Sequence, residues 1–125
     1  MKFEASTIKG HGRGGGLGFP TINLLPPDEI ALVLQDGIYA VWVTIGQDRY
    51  GGALYYGPVP VFNQKEKNLE IYLVNAYQFY INPGEIVVFE IVKYIRGVEN
   101  FSSPELMVIQ MEKDVAQIKK VLHLE

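Results

Sequence analysis

The chain has 125 residues, of which 48% are hydrophobic, and it contains no cysteine. This length and composition suit one domain, spanning residues 1–125, that can bury a core without disulfides. The lack of cysteine excludes metal sites with thiolate ligands. A net charge of −3 argues against a nucleic-acid-binding surface, because binding to a phosphate backbone needs clustered lysine and arginine. No apolar run reaches the roughly 18 residues of a membrane span, and no apolar signal core opens the chain. We therefore expect a cytoplasmic protein with no membrane partner.

The first predicted strand, Lys2–Lys9, leads into the segment Gly10–Gly16, which contains five glycines. Glycine adopts positive φ without steric cost, so backbone N–H groups here can converge on one anion, and Arg13 can add a planar charged fork. On a following strand, Thr21 and Asn23 would share one face and offer oxygen ligands to Mg²⁺. A polyphosphate-binding loop and a flexible hairpin loop both remain open from the residues alone, since no Walker lysine–serine pair or dinucleotide fingerprint is present.

The middle of the chain predicts short strands joined by turns. The turn signal at 26–29 precedes an apolar segment, Ile30–Leu34, that fits a short helical turn, a lid beside a nucleotide or, the favoured interpretation, core filler. Together with Lys2–Lys9 and the strand that carries Thr21, the predicted strands number six and have no helical pattern between them, which favours a closed antiparallel barrel without exposed edges. The remaining strands are predicted at Gly37–Ile45, Arg49–Tyr56, Asn68–Asn75 and Glu85–Ile95, with turns at Gly46–Asp48 and Asn82–Gly84.

One predicted strand contains a carboxylate, Glu70, between apolar Leu69 and Ile71. A carboxylate in such a strand is costly to bury unless something neutralises or uses it. From the residues alone, an exposed or rim glutamate paired with lysine is the more frequent outcome, and a functional carboxylate is the alternative.

After Arg96 the pattern changes from strand to helix. Ser102 and Glu105 have the spacing of a capping box, and Pro104 fits the first turn. Apolar residues then recur at intervals of three and four, which predicts one helical face packed on the barrel: Val108, Met111, Val115, Ile118 and Leu122.

The run G-H-G-R-G-G-G-L-G-F-P-T-I-N-L resembles the opening signature of riboflavin kinases, and the similarity covers nearly the whole chain. It implies a six-stranded closed antiparallel Greek-key barrel with a C-terminal α-helix. It also implies a monomer that uses ATP and Mg²⁺, or another divalent cation, to phosphorylate the ribityl 5′-hydroxyl of riboflavin, giving FMN and ADP. The similarity continues in register at Gly37–Val41, Gly57–Phe62, Leu69–Tyr72, Arg96 and Phe101.

The resemblance also implies roles for individual residues. Glu70 falls at the position of the family's catalytic glutamate, and Thr21 and Asn23 fall at its metal ligands. The implied flavin-binding residues are Arg96, Glu99 and Phe101. The implied ATP-binding residues are Gly10, Gly12, Arg13, Gly14, Gly16, Thr21, Asn23, Leu73, Asn75 and Tyr80.

The chain departs from the family's pattern at Val59, Val61, Ile81 and Val98. These departures motivate an alternative, a non-catalytic flavin- or nucleotide-binding barrel, although the retained metal ligands and glutamate argue against it. Eight tyrosines and six phenylalanines suggest a second alternative, an oligonucleotide-binding barrel, which the acidic charge opposes. Many bacterial relatives fuse this unit to an N-terminal adenylyltransferase that makes FAD. Because the chain begins at the kinase strand, we expect kinase activity alone unless it is a fragment.

Overall fold

The computed structural model describes residues 1–9, 19–58, 67–76 and 79–124. The predicted strands are confirmed there, with small differences at their ends. No helix within these ranges has the length and apolar character needed to cross a membrane. The elements in chain order are β1 Lys2–Ile8, β2 Thr21–Leu24, α1 Ile30–Val33, β3 Gly37–Ile45, β4 Asp48–Pro58, β5 Lys67–Leu73, β6 Ile86–Arg96 and α2 Pro104–Val121.

The strands form a closed barrel in the order β1-β2-β5-β4-β3-β6. Every neighbouring pair is antiparallel. Strands β3, β4 and β5 are consecutive neighbours, and β6 returns to lie beside β3, which is the Greek-key arrangement. Closure leaves no strand edge exposed, so the predicted fold class is confirmed.

The barrel interior is filled by side chains from alternate strand positions. On β5, Leu69, Ile71 and Leu73 point inward, so Glu70 and Tyr72 lie on the outer face. Such burial of large apolar side chains is the main favourable contribution to folding. The fully buried interior side chains include Ile22, Leu24, Val41, Val43, Leu54, Leu69, Ile71, Leu73 and Phe89.

Helix α2 covers part of the outer face of the barrel. Strands β3 and β4 are therefore buried on both faces, as the composition of β3 predicted. Gly51 lets the residues that follow the helix come close, since a Cβ there would lie 2.5 Å from Leu124 Cδ1. The second apolar cluster, between helix and barrel, consists of Ile38, Ala40, Ala53, Tyr72, Val74, Val115, Ile118 and Leu122.

The N-terminus of α2 differs from the prediction. Ser103 is the N-cap, and its Oγ accepts a hydrogen bond from the Leu106 amide at 3.3 Å. Pro104 then takes the first helical position, where a missing N–H costs no intrahelical hydrogen bond. The predicted capping box between Ser102 and Glu105 is therefore wrong by one residue.

The apolar segment at 30–34 forms the short helix α1. Ile30 and Leu34 are buried against the barrel interior, whereas Leu32 is 85% exposed. Both the helical-turn and the core-filler interpretations are thus confirmed, the second only for the two ends of the segment.

Candidate active site

A row of side chains crosses the outer face of five adjacent strands. Asn23 of β2 lies opposite Glu70 of β5, which in turn lies opposite Tyr55 of β4. Tyr55 is opposite Ile38 of β3, and Ile38 is opposite Arg96 of β6. Neighbouring strands lie about 4.8 Å apart, so the row measures about 19 Å along the curved barrel surface from Asn23 to Arg96. One predicted metal ligand, the predicted catalytic carboxylate and a predicted flavin-binding residue therefore lie in one row around the barrel.

A cavity of about 510 Å³ lies over the part of this row that runs from Glu70 to Arg96, and Asn23 does not line it. Glu70, Tyr72, Tyr55 and Ile38 line it from the strands. A largely apolar cavity with a few polar groups is typical of a site for a flat aromatic ligand. The segment after β6 and the start of α2 contribute Val98, Glu99, Asn100, Phe101, Ser102, Ser103, Pro104, Met107 and Met111, so the predicted flavin-binding Glu99 and Phe101 both line the cavity.

Glu70 is buried at the floor of this cavity. It is 4% exposed, so the expectation of an exposed or rim glutamate, made from the residues alone, is wrong. Leu69 and Ile71 point into the barrel, and strand alternation therefore directs the Glu70 carboxylate toward the cavity. Burial of a carboxylate here carries a desolvation cost, which is typical of a group retained for function.

Thr21 and Asn23 share the outer face of β2, as predicted, while Ile22 and Leu24 fill the interior. Both polar side chains are half-buried, and the Thr21 hydroxyl lies at a long 3.5 Å from the Phe19 carbonyl oxygen. A hydroxyl and an amide oxygen are hard donors that fit a divalent cation which keeps water and phosphate as its other ligands. Among the described residues, no group of three or more His, Cys, Asp or Glu side chains forms a competing metal site.

Arg96 is held by helix α2. Its Nε and Nη2 donate to the Asp114 carboxylate at 2.8 to 3.1 Å, and its Nη1 donates to the Gly97 carbonyl at 3.0 Å. Gln110 Nε2 also donates to Asp114, at 3.0 Å. Burial by itself would lower the pKa of Arg96, but the hydrogen bonds and charge of Asp114 outweigh it and raise that pKa. The bidentate pair therefore fastens α2 to the end of β6.

Asp114 is a site residue that sequence reasoning missed. It is 1% exposed and follows Met111 by three residues, on the side of the helix that faces the barrel. A buried carboxylate needs a cation as its partner. An aspartate on the apolar side of the predicted helix was therefore the feature of the sequence that could have revealed this ion pair. Arg96 meets it, and its guanidinium carbon also lies 5.9 Å from the centre of the Phe101 ring. The predicted flavin-binding arginine thus lines the cavity while also supporting its wall.

Three predicted ATP-binding residues lie away from the cavity. Leu73 is fully buried inside the barrel, so its side chain is not available to a nucleotide and only its backbone could make a contact. Its amide donates to the Pro20 carbonyl at 2.9 Å. Asn75 Oδ1 accepts from the Gly51 amide at 2.9 Å, and Tyr80 is 84% exposed. The predictions at Gly10, Gly12, Arg13, Gly14 and Gly16, and the departures at Val59 and Val61, lie outside the described residues.

Comparison with solved structures supports the fold. A protein described as a macrolide-efflux protein from Streptococcus pneumoniae has a TM-score of 0.74 at 27% identity, covering 90% of this chain but 36% of that one. That description therefore belongs to a much longer chain. Riboflavin kinase from Trypanosoma brucei has a TM-score of 0.68 at 20% identity, covering 98% of this chain and 79% of that one. At 20% identity, the similarity to the Trypanosoma brucei protein supports the fold alone.

Comparison of sequences identifies the family. The riboflavin kinase (flavokinase) family model matches residues 1–122. Riboflavin kinase from Mus musculus is 31% identical over 127 residues, covering 97% of this chain and 80% of the mouse protein. The match extends over the whole barrel and α2, including the row and the cavity. The chain belongs to the riboflavin kinase family.

Proposed function

We propose that this protein transfers the γ-phosphate of ATP to the ribityl 5′-hydroxyl of riboflavin, giving FMN, in the cavity above Glu70. The family match over residues 1–122 supports the reaction. The observation that carries the site is the cross-strand row, which puts Glu70 between Asn23 and the apolar cavity. A reacting hydroxyl at Glu70 would have oxygen donors for a cation on one side and an aromatic-lined pocket on the other.

The row also suggests an orientation for the substrates. The isoalloxazine ring would lie against the apolar residues Phe101, Met107 and Met111. Its ribityl chain would then run along the row toward Glu70, with the phosphates of ATP beyond it at the Asn23 end. Arg96 and Glu70 both line the cavity, three strands apart around the barrel. One ligand in the cavity would therefore contact the arginine with its ring and the glutamate with the end of its chain.

In the proposed reaction, the Glu70 carboxylate accepts the proton of the 5′-hydroxyl as the hydroxyl oxygen bonds to the γ-phosphorus. The bond from that phosphorus to the bridging β,γ oxygen breaks, and ADP leaves with the bonding electron pair. A bound Mg²⁺, held by Thr21 and Asn23, would supply charge neutralisation at the phosphates. The protein's own contribution is to align the hydroxyl with the phosphorus and to hold the base in a site shielded from water.

We also propose that a monomer is the active form and that the reaction takes place in the cytoplasm. ATP would be the donor and a divalent cation the cofactor, with no nucleic-acid partner. A net charge of −3 supports the absence of nucleic acid, and the lack of cysteine agrees with a reducing compartment.

The direct test is to incubate the protein with riboflavin, Mg²⁺ and each nucleoside triphosphate in turn and to separate the flavins by chromatography. We expect FMN to accumulate with ATP and its formation to stop when a chelator removes the divalent cation. Riboflavin that binds but is never phosphorylated with any triphosphate would support a non-catalytic flavin-binding barrel instead. Salt-dependent binding of single-stranded nucleic acid would support an oligonucleotide-binding barrel.

Truncating Phe101 should weaken flavin binding. In Phe101→Ala, riboflavin loses the aromatic surface at the cavity wall, and the stacking partner of Arg96 is lost with it. We expect the dissociation constant from a fluorescence titration to rise tenfold or more, at about 1.4 kcal/mol per decade. Phe79→Ala is the matched control, because Phe79 packs edge-to-face on Tyr50 outside the cavity. An unchanged riboflavin affinity in Phe101→Ala would remove this wall from the flavin site.

A further inference from the structure

The hydroxyl of Tyr72 is buried without a hydrogen-bond partner among the described residues. The residue is 2% exposed and lines the cavity. Tyr39 is a useful comparison, because it is similarly buried but its hydroxyl donates to the Gln35 carbonyl at 2.6 Å. A buried hydroxyl that makes no hydrogen bond is costly, since it has lost water and gained nothing in return. Such a group in a binding cavity requires an explanation.

The position of Tyr72 on β5 is close to the reacting end of the site. It follows Glu70 by two residues, so both side chains leave the same face of the strand. Across the sheet it lies opposite Thr21 on one side and Ala53 on the other. Ala53 of β4 and Val115 of α2 pack in the same apolar cluster as Tyr72.

We propose that the Tyr72 hydroxyl donates a hydrogen bond to an oxygen of the ribityl chain of bound riboflavin. This inference rests on the proposed function and adds a binding residue to it. The free protein would then keep an unused donor in the cavity wall, and the substrate would supply the missing acceptor. A polyol substrate is suited to that role because each of its hydroxyls can accept a hydrogen bond.

The charges around Tyr72 favour a neutral acceptor over a phosphate. Burial has the largest effect on the pKa of Tyr72 and raises it; Asp114 and Glu70 raise it further, while Arg96 lowers it. The hydroxyl therefore stays protonated and remains a donor. Two carboxylates against one guanidinium would repel an anionic phosphate oxygen placed here, whereas a ribityl oxygen carries no charge.

The test uses Tyr72→Phe, which removes the hydroxyl and keeps the ring. We expect riboflavin to bind about fivefold more weakly in a fluorescence titration, the equivalent of about 1 kcal/mol for one neutral hydrogen bond. The thermal midpoint should not fall, because no hydrogen bond of the free protein is lost. Tyr39→Phe should do the reverse, lowering the midpoint by roughly 4 °C with unchanged riboflavin affinity, because its hydrogen bond belongs to the fold.

Lumiflavin, which has a methyl group in place of the ribityl chain, separates the chain from the ring. Its affinity should be equal in the wild type and in Tyr72→Phe. An equal loss for lumiflavin, a loss confined to ATP, an unchanged riboflavin affinity or a lower midpoint in Tyr72→Phe would each overturn the inference. If the wild type forms no FMN, the proposed function has failed; if it forms FMN while Tyr72→Phe binds riboflavin normally, only this inference has failed.

Discussion

Glu70→Gln should lower kcat by a factor of about 10² to 10⁴, which is the usual contribution of a positioned general base. Glutamine keeps the size and shape of the side chain but cannot accept the proton of the 5′-hydroxyl. Because the residue is buried on β5 between Leu69 and Ile71, the substituted side chain should occupy the same place. The dissociation constants of riboflavin and ATP should therefore stay near wild type, so that the loss appears in kcat alone.

Glu90→Gln is the matched control. Glu90 is also a strand glutamate, on β6, but it lies 3.8 Å from Arg49 in a separate groove beside Trp42. We expect its kcat to be almost unchanged. Equal effects of the two substitutions, or normal turnover by Glu70→Gln, would contradict the assignment of the base even if FMN synthesis were confirmed.

Thr21→Ala should abolish most turnover while leaving the fold intact. The substitution removes one of the two proposed cation ligands, and with it the alignment and neutralisation of the phosphates. The fold should survive because Thr21 is half-buried on the outer face, and its hydroxyl lies at a long 3.5 Å from the Phe19 carbonyl. The measurement is kcat as a function of Mg²⁺ concentration, and the half-saturating concentration should rise.

Thr44→Ala serves as the control for this substitution. Thr44 is likewise a half-buried strand threonine, but it lies on β3 in the groove beside Trp42 and Arg49. Its activity and Mg²⁺ dependence should match the wild type. Near-full activity of Thr21→Ala at the same Mg²⁺ concentration would show that the threonine is not a ligand.

The strands were predictable because their signal is local. β3 matches its predicted range, Gly37–Ile45, and its two-sided burial follows from β-branched and aromatic residues at successive positions. The turn after β3 was predictable from its glycine. Gly46 adopts a φ of 61°, which glycine reaches without strain. The shared face of Thr21 and Asn23 was predictable in the same way, because side chains two residues apart on a strand point to the same side.

The assembly of the site was not predictable, because it depends on register between distant strands. That Asn23 lies opposite Glu70 follows from barrel closure, which no local pattern encodes. The partner of Arg96 was missed for the same reason, since Asp114 lies on a helix 18 residues further along the chain. An alignment position does not give the direction of a side chain. Leu73 matches a nucleotide-binding position of the family, yet its side chain points into the barrel interior.

The most direct measurement of the central claim is a crystal structure of the protein with riboflavin, Mg²⁺ and a non-hydrolysable ATP analogue. We expect the isoalloxazine ring to lie against Phe101 and Met107, and the terminal ribityl oxygen to lie within hydrogen-bond distance, about 2.6 to 3.2 Å, of the Glu70 carboxylate. The cation should contact Thr21 and Asn23. A flavin bound on another face of the barrel, or a terminal ribityl oxygen directed away from Glu70, would contradict the proposed site and the role of Glu70 as the base.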